Sequence, residues 1–186
     1  MSRVENAEGK KSFFQNLYPD YIYERVEDIP YSVIRNDDIR LILMDMDNTL
    51  IDYKADYTKN LRKWIKEMKS KGVKLYIVSN SFTEKKIRRI SKELGLQYYY
   101  KAGKPSKKGF KKVLEHFPDI KKEQTLMIGD QIFTDVWGGN RFNIKTLLVK
   151  RINKKETILS GCKRPLERLI LNHYYKKNES EGKCRI

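Results

Sequence analysis

Cysteine and histidine are scarce in this chain, and so are acids relative to bases. Only two cysteines and two histidines occur among 186 residues. Cys162 and Cys184 belong to no CxxC pair or Cys/His cluster, so they read as reduced thiols without a role. His116 and His173 stand alone and read as surface or packing residues. Long apolar runs are missing too: nothing approaches the roughly 18 to 20 uninterrupted apolar residues that span a bilayer. The opening MSRVENAEGKKSFF lacks the apolar stretch of a secretory signal. A cytosolic protein is expected, with peripheral contact at a membrane surface as its sharper variant.

The shortage of acids leaves a net charge of +16, unevenly placed. Residues 1–40 hold six basic and eight acidic side chains, whereas 41–150 hold 24 and 12. A basic body and tail favour an anionic partner: a lipid surface, a nucleic acid or a phosphorylated substrate. For most individual lysines, a solubilising coat is the simpler reading.

Hydrophobic residues make up 39% of the chain, enough for one compact domain. The pattern predicts an N-terminal extension over 1–40 packed on the core, a domain over 41–151, and a basic tail with one helix over 152–186. Through the middle, short β-type runs alternate with helical ones, the mark of a three-layer, doubly wound parallel sheet. Leu41 to Met46 is apolar without alternation, as in a central strand covered on both faces. Strands are also expected at 73–78, 97–100, 125–128 and 146–149, five in all. Helices are expected over 58–71, from Thr83 to about 94, after Ser106 up to Pro118, and over 132–139. In the flanks, residues 12–22 and 165–175 are amphipathic, and packing on the domain is favoured over lying on an anionic membrane.

The chemistry gathers where these strands end. The first strand runs into DMDNT, placing Asp45, Asp47 and Thr49 beyond the carboxyl edge of the sheet, where ligands bind in open parallel folds. Paired carboxylates repel when ionised unless a cation relieves them, and Mg²⁺, a hard ion that prefers oxygen, is the natural relief. The fourth strand ends in GDQIFTD, bringing Asp130 and Asp135 to the same edge. Four acids then converge in a chain of opposite overall charge. Either motif alone reads as a turn; both at strand ends do not. The second strand ends in Ser79 and Asn80, with backbone N–H groups free to meet phosphoryl oxygens at the next helix start. AGKPS supplies Lys104, whose ammonium offsets carboxylate and phosphate charge.

In the order DxDxT, Ser, Lys-Pro, GDxxxxD, these residues resemble the four motifs of the haloacid dehalogenase (HAD) superfamily of phosphohydrolases. DMDNTL, IVSN, KAGKP and GDQIFTDVWGGN are similar to the family IIIA phosphatases, a group that includes mitochondrial phosphatidylglycerophosphate phosphatases. The likeness runs from about Phe14 to Val149, with no departure at a catalytic position. It implies a HAD-like Rossmannoid fold with Asp45 as nucleophile, forming an aspartyl-phosphate, and Asp47 as general acid and then base. It also implies that Thr49 supports the loop at the phosphate, that Ser79 and Asn80 bind the phosphoryl group, and that Lys104 orients and neutralises. Mg²⁺ would be held by Asp45, the backbone carbonyl of Asp47, Asp130 and Asp135.

Relatives of this kind often insert a cap after the first motif or between the second and third. Here Thr49 to Ser79 is 30 positions and Ser79 to Lys104 is 25, each filled by one helix and one strand. A capless, open site is expected, suited to a phosphate carried on something large. Three readings stand at this point: hydrolysis of phosphatidylglycerophosphate to phosphatidylglycerol at a membrane surface, hydrolysis of another bulky or soluble phosphoester, and a nucleic-acid- or ribosome-associated binding role. The four acids count against the last.

Overall fold

A computed structural model describes residues 14–152 and 164–180. Phe13, Cys162 and Cys184 lie outside these residues. In chain order the elements are β1 (Tyr21–Tyr23), α1 (Tyr31–Asn36), β2 (Leu41–Met44), α2 (Lys59–Ser70), β3 (Lys74–Val78), α3 (Glu84–Leu94), β4 (Gln97–Tyr99), α4 (Lys107–Leu114), β5 (Thr125–Gly129), α5 (Trp137–Phe142), β6 (Lys145–Val149) and α6 (Arg164–Ser180). The strands form one sheet in the order β1-β6-β5-β2-β3-β4, and every pairing is parallel.

The central strand β2 is buried along its whole length. Its side chains alternate faces, as a pleated strand requires. Ile42 and Met44 enter one cluster with Trp64, Ile65, Met68, Ile87, Ile90 and Leu94 of α2 and α3. Leu41 and Leu43 enter another with Phe110 and Val113 of α4 and Phe142 of α5. Helices therefore cover both faces, which explains a strand sequence with no polar alternation. Each large side chain fully withdrawn from water contributes about 1.5–3 kcal/mol.

The helices start where their sequences supply a cap. At the start of α2, Thr58 Oγ1 accepts the Leu61 N–H at 2.9 Å and donates to Glu27 at 2.6 Å; Ser106 Oγ accepts the Lys108 N–H at the start of α4. Thr83 holds the N-cap position of α3 but makes no side-chain cap bond. Gly95 ends α3 in the left-handed conformation, φ 64°, which glycine adopts without penalty. The α4 helix closes at Leu114, a turn before Pro118. The helix expected over 132–139 begins as a π-helical segment, Ile132–Val136, and continues as α5.

All five expected strands are present, and the sheet gains a sixth. Tyr21–Tyr23, inside the segment read as an extension, pairs with β6 through Tyr21↔Leu147 and Tyr23↔Val149. Three half-buried residues are too short to give a period-2 signal, so this edge strand is invisible to pattern reading. The expected flank faces are only partly inward. Leu17 and Ile170 are buried together with Ile132, Val136 and Leu148, with Leu171 packed against them, while Phe14, Leu166 and Leu169 point outward. His173 accepts from or donates to the Tyr18 hydroxyl, and His116 stacks on Tyr76. Among the described residues no helix is long and apolar enough to cross a membrane.

Candidate active site

The chain winds outward from β2 to β3 and β4, then crosses back to β5 on the other side of β2. The crevice between β2 and β5 is thus the point where winding reverses, the favoured ligand position in such sheets. Met44 is level with both Ile77 and Ile128, so the residues that follow these three strands emerge side by side. The Asp45 N–H is still held by the Ile128 carbonyl at 2.9 Å. The turn after it passes through Asn48 at φ 62°, a conformation asparagine tolerates better than most residues.

Asp45, Asp130 and Asp135 are all buried, and carboxylate oxygens of the three lie within 4.8 Å of one another. Between them stands Lys104, its side chain 1% exposed, with Nζ at 2.7 Å from Oδ1 of both Asp45 and Asp135. Only the contact to Asp45 has hydrogen-bond geometry; Asp135 Oδ1 is held ionically and lacks a directed donor. Asp135 Oδ2 accepts the Gln131 N–H at 3.1 Å. Gly129 is required here, because a Cβ would come within 2.3 Å of the Asp135 carboxylate.

Burial pushes Asp45 up to about 6 against the pull of Lys104. Asp130 rises to about 7 through burial and the neighbouring Asp45 and Asp135, with Arg151 opposing. Burial alone would lower the Lys104 ammonium, but Asp135 and Asp45 outweigh it and hold the group charged. The cluster carries more negative charge than its buried cations neutralise.

The remaining expected residues fall around this cluster. Thr49 Oγ1 donates to Asp130 Oδ1 at 3.4 Å. Ser79 is buried at the end of β3, and its Oγ accepts the Ser81 N–H. The Asn80 amide grips Lys104 from both ends, accepting the Lys104 N–H at 2.8 Å and donating to its carbonyl at 2.9 Å. That clamp fixes the segment delivering the lysine. Asp47 is half-exposed at the mouth and ion-paired to Lys86.

Two cations here have no counterpart in the sequence reading. Lys86, in the first turn of α3, is one of several lysines and arginines in a run that looks like a solvated face. Arg151 follows β6 and contacts Asp130 Oδ2 through Nε. Its position just past a strand's carboxyl end was the one available signal. The segment bearing it is fixed by the Ile152 N–H to the Asn48 carbonyl at 3.2 Å. Shape is a poorer guide than chemistry: a cavity of about 380 Å³ lies along α2, lined by Tyr57, Thr58, Lys59, Arg62, Lys63 and Lys66, remote from the acids.

A sequence profile described as haloacid dehalogenase-like hydrolase matches residues 58–143. The "probable phosphatase YqeG" of Bacillus subtilis (strain 168) is 34% identical over 168 residues, 90% of this chain and 95% of that protein. The chain belongs to the haloacid dehalogenase-like hydrolases. Within that family it is YqeG-like. Among solved structures, an uncharacterized protein from Listeria monocytogenes serotype 4b is 20% identical, covering 73% of this chain and 99% of its own, with a TM-score of 0.49. The putative HAD-hydrolase YfnB from Bacillus subtilis, bound to magnesium, is 17% identical over 65% and 91%, also with a TM-score of 0.49.

In this HAD-like hydrolase the donor set suits a hard divalent cation. Three buried carboxylates converge on one point, every ligand atom is oxygen, and Asp135 Oδ1 lacks a directed donor. Softer metals that seek thiolate or imidazole find neither among these residues.

Proposed function

We propose that this protein is a Mg²⁺-dependent phosphomonoester hydrolase that works through an aspartyl-phosphate on Asp45. The observation that carries the reading is the buried Asp45–Lys104–Asp135 bridge beside Asp130, assembled at the winding reversal of the sheet. A carboxylate that is buried yet charge-balanced by a fixed lysine is held in one orientation and poorly hydrated, the condition of a competent nucleophile. Asp45 attacks phosphorus, the bond from phosphorus to the ester oxygen breaks, and Asp47 gives that oxygen its proton. Asp47 then takes a proton from water as the water oxygen attacks phosphorus and the bond from Asp45 to phosphorus breaks, releasing phosphate and restoring the Asp45 carboxylate and the protonated Asp47. Ser79 would hold a phosphoryl oxygen, and Lys104 keeps positive charge where negative charge accumulates. Asp45, Asp130, Asp135 and the Asp47 carbonyl would hold Mg²⁺, which supplies further neutralisation of the phosphoryl oxygens.

The substrate we infer is a phosphate on a large carrier, with phosphatidylglycerophosphate at a membrane surface the first candidate. Support comes from the open mouth, where Asp47 and Lys86 are about 40% exposed, from one helix and one strand alone between successive motifs, and from the charge of +16. We place the protein in the cytoplasm, with peripheral contact at anionic lipid. The test is phosphate release from phosphatidylglycerophosphate in mixed micelles and from an aryl phosphate, each with Mg²⁺ or EDTA, for wild type and Asp45→Asn. Release from both that needs Mg²⁺ and Asp45 supports the full reading. Release from the aryl phosphate alone keeps the hydrolase and discards the lipid. Activity that survives Asp45→Asn sinks the mechanism.

A further inference from the structure

We propose that Lys86 is the specificity-determining residue of this site, and that it selects phosphomonoesters whose leaving alcohol carries a second negative charge close to the ester oxygen. The proposal rests on the hydrolase reading above, in which Asp47 protonates the leaving oxygen.

Lys86 is not loose on the surface. The α3 face that bears it is stitched to the segment following the nucleophile at three successive points. Lys86 contacts Asp47 Oδ1, Arg89 donates to the Ala55 carbonyl at 3.2 Å, and Glu93 accepts from the Tyr57 hydroxyl at 3.0 Å. Spacings of three and four put these residues on one stripe of the helix. The ammonium is thereby held at the mouth, one side chain outward from the buried acids.

The arrangement of charge leaves Lys86 a task that the other cations cannot perform. Lys104 is committed to Asp45 and Asp135, and Arg151 to Asp130, all deep in the site. Lys86 and Asp47 are instead 38% and 41% exposed, facing the direction in which an alcohol must depart if Asp47 is to protonate it. An exposed ion pair of this kind contributes little to stability. Exchanging Asp47 for an anion on the substrate therefore costs little, returns Asp47 Oδ1 to the leaving oxygen, and gives the substrate a charge-assisted hydrogen bond. A phosphodiester or a second phosphate a few bonds from the ester oxygen has the right chemistry, whether it belongs to a lipid head group or a free metabolite.

The experiment compares kcat/KM for glycerol 1,3-bisphosphate and sn-glycerol 3-phosphate in wild type, Lys86→Gln, Lys86→Arg and Lys86→Glu. Phosphatidylglycerophosphate in mixed micelles serves as a third arm, separating a lipid source of the second anion from a soluble one. Wild type should favour the doubly anionic soluble substrate by about tenfold, the size of one charge-assisted hydrogen bond. Lys86→Gln should bring the ratio to about two, the statistical value for two equivalent phosphates. Arginine should restore the preference, and glutamate should invert it. If Lys86 only braces α3, both substrates fall by the same factor and the ratio stays put, which overturns the proposal while leaving the hydrolase intact. Absence of Asp45-dependent turnover on every substrate sinks both readings together.

Discussion

Replacing Lys104 by methionine tests the electrostatics of the site through stability rather than turnover. The side chain is 1% exposed and touches two buried carboxylates at 2.7 Å. Methionine keeps the length and removes the charge, leaving Asp45 and Asp135 without the cation between them. Breaking a buried pair in this way costs about 3–5 kcal/mol. Domains of this size are stable by about 5–15 kcal/mol, so about a fifth or more of the total is at stake. With a urea m-value of about 2 kcal/mol/M, the midpoint should fall by about 2 M at pH 8.

The same substitution should do less harm in acid. With Lys104 present, burial already lifts Asp45 from 3.8 to about 6. Without it the carboxyl rises further and is neutral at pH 5 in the folded variant. Wild-type Asp45, at about 6, is largely protonated at pH 5 as well, so the cost of holding that proton is common to both proteins and cancels. The loss at pH 5 should therefore be clearly smaller than the loss at pH 8. Urea titrations of both proteins at pH 5 and pH 8, in EDTA, measure the two differences. Equal losses at the two pH values, or a loss below about 1 kcal/mol at pH 8, would refute the account of the bridge.

Three further outcomes are expected. Asp45→Asn should lower turnover at least about 10³-fold with an unchanged circular dichroism spectrum, since it removes the nucleophile and keeps its shape; comparable turnover would overturn the assignment. Gly129→Ala should cost about 1–3 kcal/mol and blunt stabilisation by Mg²⁺, because the new methyl meets the Asp135 carboxylate at 2.3 Å; a thermal melt with and without Mg²⁺ reads both. In wild type, folded Asp45 and Asp130 bind protons more tightly than the unfolded chain, so metal-free stability should fall as pH rises from about 4 to about 7. Mg²⁺ should then stabilise more at pH 8 than at pH 5, and a flat dependence in calorimetry would contradict the raised carboxyls.

What the sequence revealed follows from how far each signal is local. The core of the sheet was legible because Leu41–Met44 and its partners are buried on both faces, and such strands are written as plain apolar runs. The acids were legible because strand ends put them in known places, and register brought Asp45 beside Asp130 without knowledge of any side chain. Contacts made across the fold were not legible. Asn80 gripping Lys104, Lys86 reaching Asp47 and Arg151 reaching Asp130 span 24, 39 and 21 positions, and no periodicity encodes them. The edge strand Tyr21–Tyr23 failed for a different reason: its only evidence is a partner at the other end of the domain.

That last pairing sets an order of assembly during synthesis. The strand at Tyr21 waits for a mate 126 positions downstream, at Leu147, whereas Leu41 waits 84 positions for Thr125. A ribosome adding about 5–20 residues per second emits the second interval in roughly 4–17 seconds. Until then the Asp45 turn has neither Asp130 nor Asp135 beside it. All three acids are synthesised before Leu147, the partner that β1 awaits.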